Sequence, residues 1–468
     1  MKQHYTRRSM CHRIERDSFC YFMKNDRGQL LPAVVFCLFG KGGVLMSRDF
    51  KQFREILANR NFTTYLSTYY LGGFSNFVQM FAIWSQVLRL SGHDPVALGI
   101  ATMLEILPGI LISPWAGLLA DRMSKRTLLI ICYILRAGTL FLMFLSTELW
   151  HLYLLAAIHS TFVSFGEPPH RAFLPLLVKS DQYVAMNSLL ATMNNLWQIF
   201  RPALGGWVVF SFGSQTAFLV GMTLYLLAPL LLLLVKVHDR AANRSKAERS
   251  NSSMWQEVRE GVAYIRTEPI LIYLFVFMML FTLCMGTQGT LTMLFVGQHL
   301  VPEDQASGAV GLLFSALGIG GLVGAFLTTL LVKRLPMLLL LFASLALDGV
   351  AVVVFAMSDT MTVAITCFAF FGIIGSVNQI VQDTLIQTIV PEHMRGRVYG
   401  AFGPITGPLS LLSVGAGTSL AAAIGTRAVF VICGVMEIGA VGICRLLPSY
   451  KQVRESLAEK IPQSTFHT

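Results

Sequence analysis

Six ionisable side chains interrupt long apolar stretches of this chain: Glu105, Arg136, Arg201, Asp348, Asp383 and Glu437. In lipid each would cost at least about 2.5–3.5 kcal/mol, so such groups mark a pathway, a proton relay or a pair. Glu105 lies twelve residues before Gly117, and Arg136 ten residues after Arg126. Along antiparallel helices those offsets are about 18 Å and about 15 Å. The two groups then sit at similar depth and are expected to pair. A carboxyl whose surroundings alternate between apolar wall and arginine can also take up and release a proton. Two readings therefore stand for Glu105: a proton carrier facing Arg136 or Arg201, and a static structural pair. Asp383 is a further candidate for proton coupling.

Other chemistries find little support. No G-x-x-x-x-G-K-[ST] loop occurs, and Phe39-Gly40-Lys41-Gly42 is not one. The glycines Gly318, Gly320, Gly321 and Gly324 lie inside an apolar run, where they pack helices rather than cradle phosphates. Eight cysteines are scattered, with no C-x-x-C pair and no metal-ligand spacing. Glu167, His170 and Arg171 form the only loose cluster of catalytic residue types. The chain is not expected to be an enzyme, nor to hold a metal or cofactor.

The elements that must position these groups follow from composition. Of 468 residues, 54% are hydrophobic and 13% charged. An ordinary soluble domain carries roughly 25% charged residues, so a bilayer is the expected solvent. Apolar runs long enough to cross it fall near 62–88, 96–120, 127–146, 150–168, 185–210 and 216–236. Six more fall near 270–297, 308–332, 336–357, 361–383, 399–423 and 427–447. Helices are expected, because lipid offers backbone groups no partners. The net charge of +11 gathers in alternate loops: Arg122, Lys125 and Arg126; Arg171 and Lys179; the connector after residue 236; Lys333 and Arg334; Arg395 and Arg397. The opposite loops hold Asp94, Glu148, Glu303, Asp304 and Asp359 against Arg89 and Arg427. By the positive-inside rule both termini are cytoplasmic. The charge is thus a topology signal and not a nucleic-acid surface.

Residues 1–45 are expected to be a non-native or disordered extension. Lys41 to Leu45 can be encoded with AAGGAGG just before the Met46 codon, as a translated bacterial ribosome-binding site would read. A first six-helix half then spans 46–236 and a cytoplasmic linker 237–269. A second half follows over 270–447, and a cytoplasmic tail over 448–468. Within the linker, Trp255, Val258, Val262 and Ile265 recur at helical spacing, which predicts a short amphipathic helix over 255–266.

The halves resemble one another. Shifting by 212 residues brings Gly213 and Phe218 onto Gly425 and Phe430, and Val178 onto Val390. Six helices repeated in parallel is the plan of a transporter with two rocking halves and a central site.

After the second span the chain reads GLLADRMSKR, from Gly117 to Arg126. It resembles the loop signature of the major facilitator superfamily at Gly117, Leu119, Ala120, Asp121, Arg122, Lys125 and Arg126, with Ser124 in place of the usual glycine. The fifth span carries Pro202, Gly205 and Gly206, similar to the antiporter motif of the family's exporters, with Arg201 where a glycine is usual. Glu167 to Leu189 and Pro391 to Gly400 are similar to the branch of macrolide-efflux and enterobactin-export proteins.

The resemblance implies an all-α major facilitator fold of twelve transmembrane helices in two six-helix halves. It implies a gate in which Asp121 latches onto the eleventh span near Arg395-Gly396-Arg397 when the protein faces outward. It implies a central site on the first, fourth, seventh and tenth spans, with Asn76, Gln79, His159, Gln288, Asn378 and Gln382 as cavity candidates. Asp348 and Glu437 fall on peripheral spans and are read as structural. The expected function is export of a small amphipathic compound, in exchange for protons, by a monomer in a bacterial inner or plasma membrane. Nutrient uptake and a non-transporting sensor are the alternatives.

Overall fold

The computed structural model describes residues 53–235 and 254–446. The extension 1–45, the linker through residue 253, the tail 448–468 and the side chains of Asp121 and Arg122 lie outside the described ones. One compact unit, Glu55–Thr468, contains every helix named here.

Four helices open this unit: α1 (Arg60–Ser91), α2 (Pro95–Arg122), α3 (Lys125–Leu145) and α4 (Leu149–Phe173). A long element, Tyr183–Leu234, breaks at Gly213 into α5 (183–212) and α6 (214–234). The amphipathic helix α7 (Met254–Thr267) follows. Then come α8 (Pro269–His299), α9 (Ala306–Leu331), α10 (Met337–Ala356), α11 (Met361–Ile389), α12 (Glu392–Ile424) and α13 (Thr426–Leu446). Six long helices thus lie on each side of α7, and no strand occurs among the described residues. Nine stretches among the described residues are long and apolar enough to cross a bilayer, with Tyr183–Leu234 counted once. The runs near 62–88 and 427–447 also form helices but are not among those nine.

Local chemistry sets the helix starts. Asn59 caps α1, its side chain accepting from Asn61 N at 3.1 Å. Asp94 caps α2, accepting from Val96 N at 2.9 Å, with Pro95 in the first turn. Ser124, the departure from the family's loop signature, caps α3 by accepting from Thr127 N at 3.2 Å. Glu167-Pro168-Pro169-His170, at the end of the apolar run near 150–168, continue α4, which ends at Phe173.

The two breaks fall at equivalent places of the repeat. Gly213 has φ 76° and ψ 159°, and Gly425 has φ 85° and ψ 157°. That region is essentially closed to residues with a Cβ. Gly213→Ala and Gly425→Ala are each expected to cost about 1–3 kcal/mol. Gly138, helical and with nothing within 4 Å of an added Cβ, is the control. Melting of the purified protein in detergent checks this; midpoints for the two variants that match Gly138→Ala would refute it.

Packing repeats as the sequence does. In the first half α1 lies along α5 and α6, α2 along α4, and α3 along α4 and α6; in the second α8 lies along α12 and α13, α9 along α11, and α10 along α11 and α13. The halves meet through two equivalent crossings, α5 on α9 and α2 on α12. On the first, a Cβ at Gly311 would lie 2.7 Å from Pro202 O, and Ser315 Oγ donates to Ile199 O at 2.6 Å. On the second, Thr418 fills the space over Gly99, and Ile110 Cδ1 would lie 2.8 Å from a Cβ at Gly407. His93 Nε2 and Glu303 Oε2 pair at 3.0 Å across the tips of the same end. Toward the other end the glycines are open: among the described residues, a Cβ at Gly117, Gly396, Gly400 or Gly403 would meet nothing within 4 Å.

Candidate functional site

Two cavities occupy the parted end. The first, of about 320 Å³, lies within the first half and is bordered by α1, α3, α4 and α5. The second, of about 770 Å³, is bordered mainly by α8, α9, α11 and α12, and Gln198 of α5 borders both. A third, of about 70 Å³, lies among aromatic side chains and Gln288.

Helical periodicity explains which residues reach the first cavity. Gly72, Gly73 and Asn76 form one stripe of α1, and Val163, Gly166, Glu167 and His170 one stripe of α4. His170 is held on both ring nitrogens: Tyr65 Oη lies 2.7 Å from Nδ1 and Tyr133 Oη 3.0 Å from Nε2. This triad was not visible in the sequence, since its tyrosines read as ordinary aromatic residues of apolar spans. Tyr69, Tyr70 and Trp197 supply aromatic wall, with Tyr70 and Trp197 edge to face at 5.3 Å.

The expected pair between Glu105 and Arg136 does not form. Helices α2 and α3 are consecutive, yet they touch mainly where they join; α2 packs on α4 and α12, and α3 on α4 and α6. Glu105 Oε1 instead accepts from Gln79 Nε2 at 2.8 Å, and the Glu105 carbonyl accepts from Ser160 Oγ. Arg136 donates to Asn76 Oδ1 at 3.1 Å and to Tyr225 Oη, with its guanidinium 4.3 Å from the Tyr225 ring centroid. Arg201 lies 3.9 Å over the Phe77 ring. No ion pair reaches Glu105, Arg136 or Arg201 among the described residues.

The cavity candidates divide. Asn76 borders the first cavity, and Asn378 and Gln382 the second, where Gln382 Nε2 donates to Asn378 Oδ1 at 2.6 Å. Asp383 also borders the second, accepting from Tyr399 Oη at 3.1 Å. Gln288 borders only the third and donates to Glu437 Oε1 at 2.8 Å. Gln79 is spent on Glu105. His159 borders none of the three cavities: it sits one turn beyond Val163 on the same stripe, covered by Thr139 at 2.8 Å and by the Tyr225 ring.

Asp348 and Glu437, 2% and 1% exposed, interact with each other where α10 crosses α13. Asp348 Oδ2 and Glu437 Oε2 have no donor among the described residues. Asp348 also borders the second cavity.

Gly205 and Gly206, with Pro202, serve packing. Gly205 lets Phe77 and Phe81 of α1 approach, and Gly206 lets Gly311 and Ser307 of α9 approach. Around the loop signature, Lys125 begins α3 and Arg126 Nη2 donates to Leu233 O at 2.5 Å, tying α3 to the end of α6. Arg397 pairs with Glu260 of α7 at 2.9 Å, and Arg395 Nε turns back onto Val390 O at 3.0 Å.

Two equivalent helical halves, joined at one end and parted by polar and aromatic cavities at the other, define a membrane transporter. Residues 65–413 match the Major Facilitator Superfamily, and the chain belongs to that family. It is 27% identical over 401 residues to an uncharacterized MFS-type transporter of Bacillus subtilis, YfiS, covering 84% of this chain and 94% of that protein. It is 21% identical over 376 residues to macrolide efflux protein A of Streptococcus pyogenes, covering 76% and 89%. The crystal structure of the nucleoside transporter NupG shares the fold, with a TM-score of 0.63 at 16% identity over 81% of this chain and 99% of that one.

Proposed function

We propose that this protein exports a small amphipathic compound across a bacterial plasma membrane by alternating access, in exchange for protons. On this reading twelve helices span the bilayer with both termini cytoplasmic. The basic loops Arg122–Arg126 and Lys333–Arg334 then lie at the parted end, so the structure is open to the cytoplasm. One observation carries the reading: the contacts described between the halves run from the His93–Glu303 end to mid-helix at Ile110–Gly407 and Ile199–Ser315, while cavities of about 320 and 770 Å³ lie toward the other end. A cavity of that size takes a drug-sized solute from the inner side, and rocking about α5–α9 and α2–α12 would deliver it outward. The efflux protein among the relatives favours export.

The test is accumulation of a panel of amphipathic compounds in cells with and without the protein. At least one compound is expected to accumulate less when the protein is present, and a protonophore is expected to erase the difference. Greater accumulation in expressing cells would instead mean uptake.

A further inference from the structure

Arg136, Arg201 and Trp197 border the first cavity, and each has a buried N–H donor without an acceptor among the described residues: Arg136 Nε, Arg201 Nε and Trp197 Nε1. A buried donor left unpaired costs about 1–3 kcal/mol, and more when charged. Three around one cavity are therefore a demand for acceptor atoms. Arg136 is 7% exposed, and both of its recorded acceptors, Asn76 and Tyr225, are neutral. Arg201 makes no hydrogen bond among the described residues; its guanidinium rests on Phe77. A Cβ at Gly73 would lie 3.6 Å from Trp197 Nε1 and 4.0 Å from Arg201 Nη1, so these two donors face one small volume. Among the described residues the only carboxylate bordering the cavity is Glu167, which is exposed and pairs with neither arginine. His170, the imidazole there, is held by Tyr65 and Tyr133.

We infer that the first-half cavity is an anion subsite: it takes the carboxylate or sulfonate head of an aromatic organic anion between Arg136 and Arg201. The ring of that anion lies against Tyr69, Tyr70 and Trp197. The inference rests on the transporter reading and names its substrate class. Two guanidiniums supply the forked donors that match a carboxylate, and the low-dielectric wall strengthens them. The 320 Å³ volume suits one aromatic head rather than a whole large amphiphile, whose remainder passes Gln198 into the 770 Å³ cavity.

Equilibrium dialysis of the full chain in nanodiscs, with radiolabelled 2-naphthoate, 2-naphthamide and 2-naphthylmethylammonium, tests it. Naphthoate is expected to bind about tenfold or more tighter than the amide, the worth of one hydrogen bond to a charged group. Arg201→Gln is expected to erase that preference and Arg201→Lys to keep part of it; neither disturbs the Arg136 contacts that hold α3 to α6. No naphthoate binding, equal binding of all three probes, or an undiminished preference in Arg201→Gln would each overturn the inference. Counterflow in proteoliposomes separates the two readings. Binding of naphthoate without exchange leaves the subsite and removes the transporter. Exchange of amide or ammonium with no anion preference leaves the transporter and removes the subsite.

Discussion

A disulfide between Phe210→Cys and Gly308→Cys is expected to reduce transport to the background of empty vesicles, and a reductant to restore it. An ideal Cβ at position 308 lies 3.2 Å from Phe210 Cβ. Disulfides need about 3.5–4.5 Å between Cβ atoms, so a small relaxation of α5 against α9 closes the bond. The bond would join the two halves at the end where they already meet. Alternating access requires that end to open, so a cross-linked protein keeps its cavities but cannot empty them outward.

Each single substitution serves as control, since Phe210 is exposed and a Cβ at Gly308, 3.2 Å from Phe210 Cβ, asks only a small shift of that exposed side chain. Among the described residues Cys132, Cys284, Cys367 and Cys433 are free and buried, so they compete poorly for the oxidant; Cys11, Cys20, Cys37 and Cys444 are replaced by serine in the protein to be cross-linked. Full transport by protein shown to be cross-linked would exclude rocking about these two crossings. The ion pair His93–Glu303 at the same end is too exposed to hold it shut alone.

Much of this arrangement was legible in the chain because hydropathy and repeat are local signals. The break at Gly213 and its counterpart at Gly425 were aligned by a shift of 212 residues, and both carry the same rare backbone angles. The amphipathic spacing from Trp255 to Ile265 foretold α7. What failed was lateral: sequence neighbours need not be spatial neighbours. Glu105 and Arg136 sit on consecutive helices at similar depth, yet α2 turns its Glu105 face to α1 and α4. His159 has the right stripe of α4 but the wrong turn, and only the position of Tyr225 decides that. The Tyr65–His170–Tyr133 triad joins side chains 105 and 37 residues apart, which no periodicity reports. The unpaired donors of the first cavity were equally hidden, because lacking a partner is a property of the packed molecule.

Glu105→Gln is expected to abolish proton-driven accumulation while leaving the protein folded and able to exchange its solute down a gradient. Glu105 lies on α2, one of the helices at the crossing between halves, and its carboxylate accepts from the neutral amide of Gln79. With no cation paired to it among the described residues, an ionised carboxyl there, half-buried in an apolar span, bears its desolvation cost alone. A proton relieves that cost, which is one requirement of a coupling site; rocking of the half that carries α2 would supply the other, a change in the side of the membrane that the group can reach. Glutamine keeps shape and a hydrogen-bonding oxygen for Gln79 but cannot lose a proton.

Vesicles loaded with a pH gradient should show uphill transport by the wild type and none above background by Glu105→Gln, with counterflow at zero gradient largely retained. Full uphill transport by the variant would transfer the role elsewhere. The carboxyls of Asp348 and Glu437 would be next, since they sit together at the α10–α13 crossing beside the second cavity with two oxygens lacking donors. A proton between them would make the missing hydrogen bond. Asp348→Asn should then uncouple transport in place of Glu105→Gln. Loss of counterflow in Glu105→Gln, by contrast, would make the Gln79 contact a structural clasp between α1 and α2.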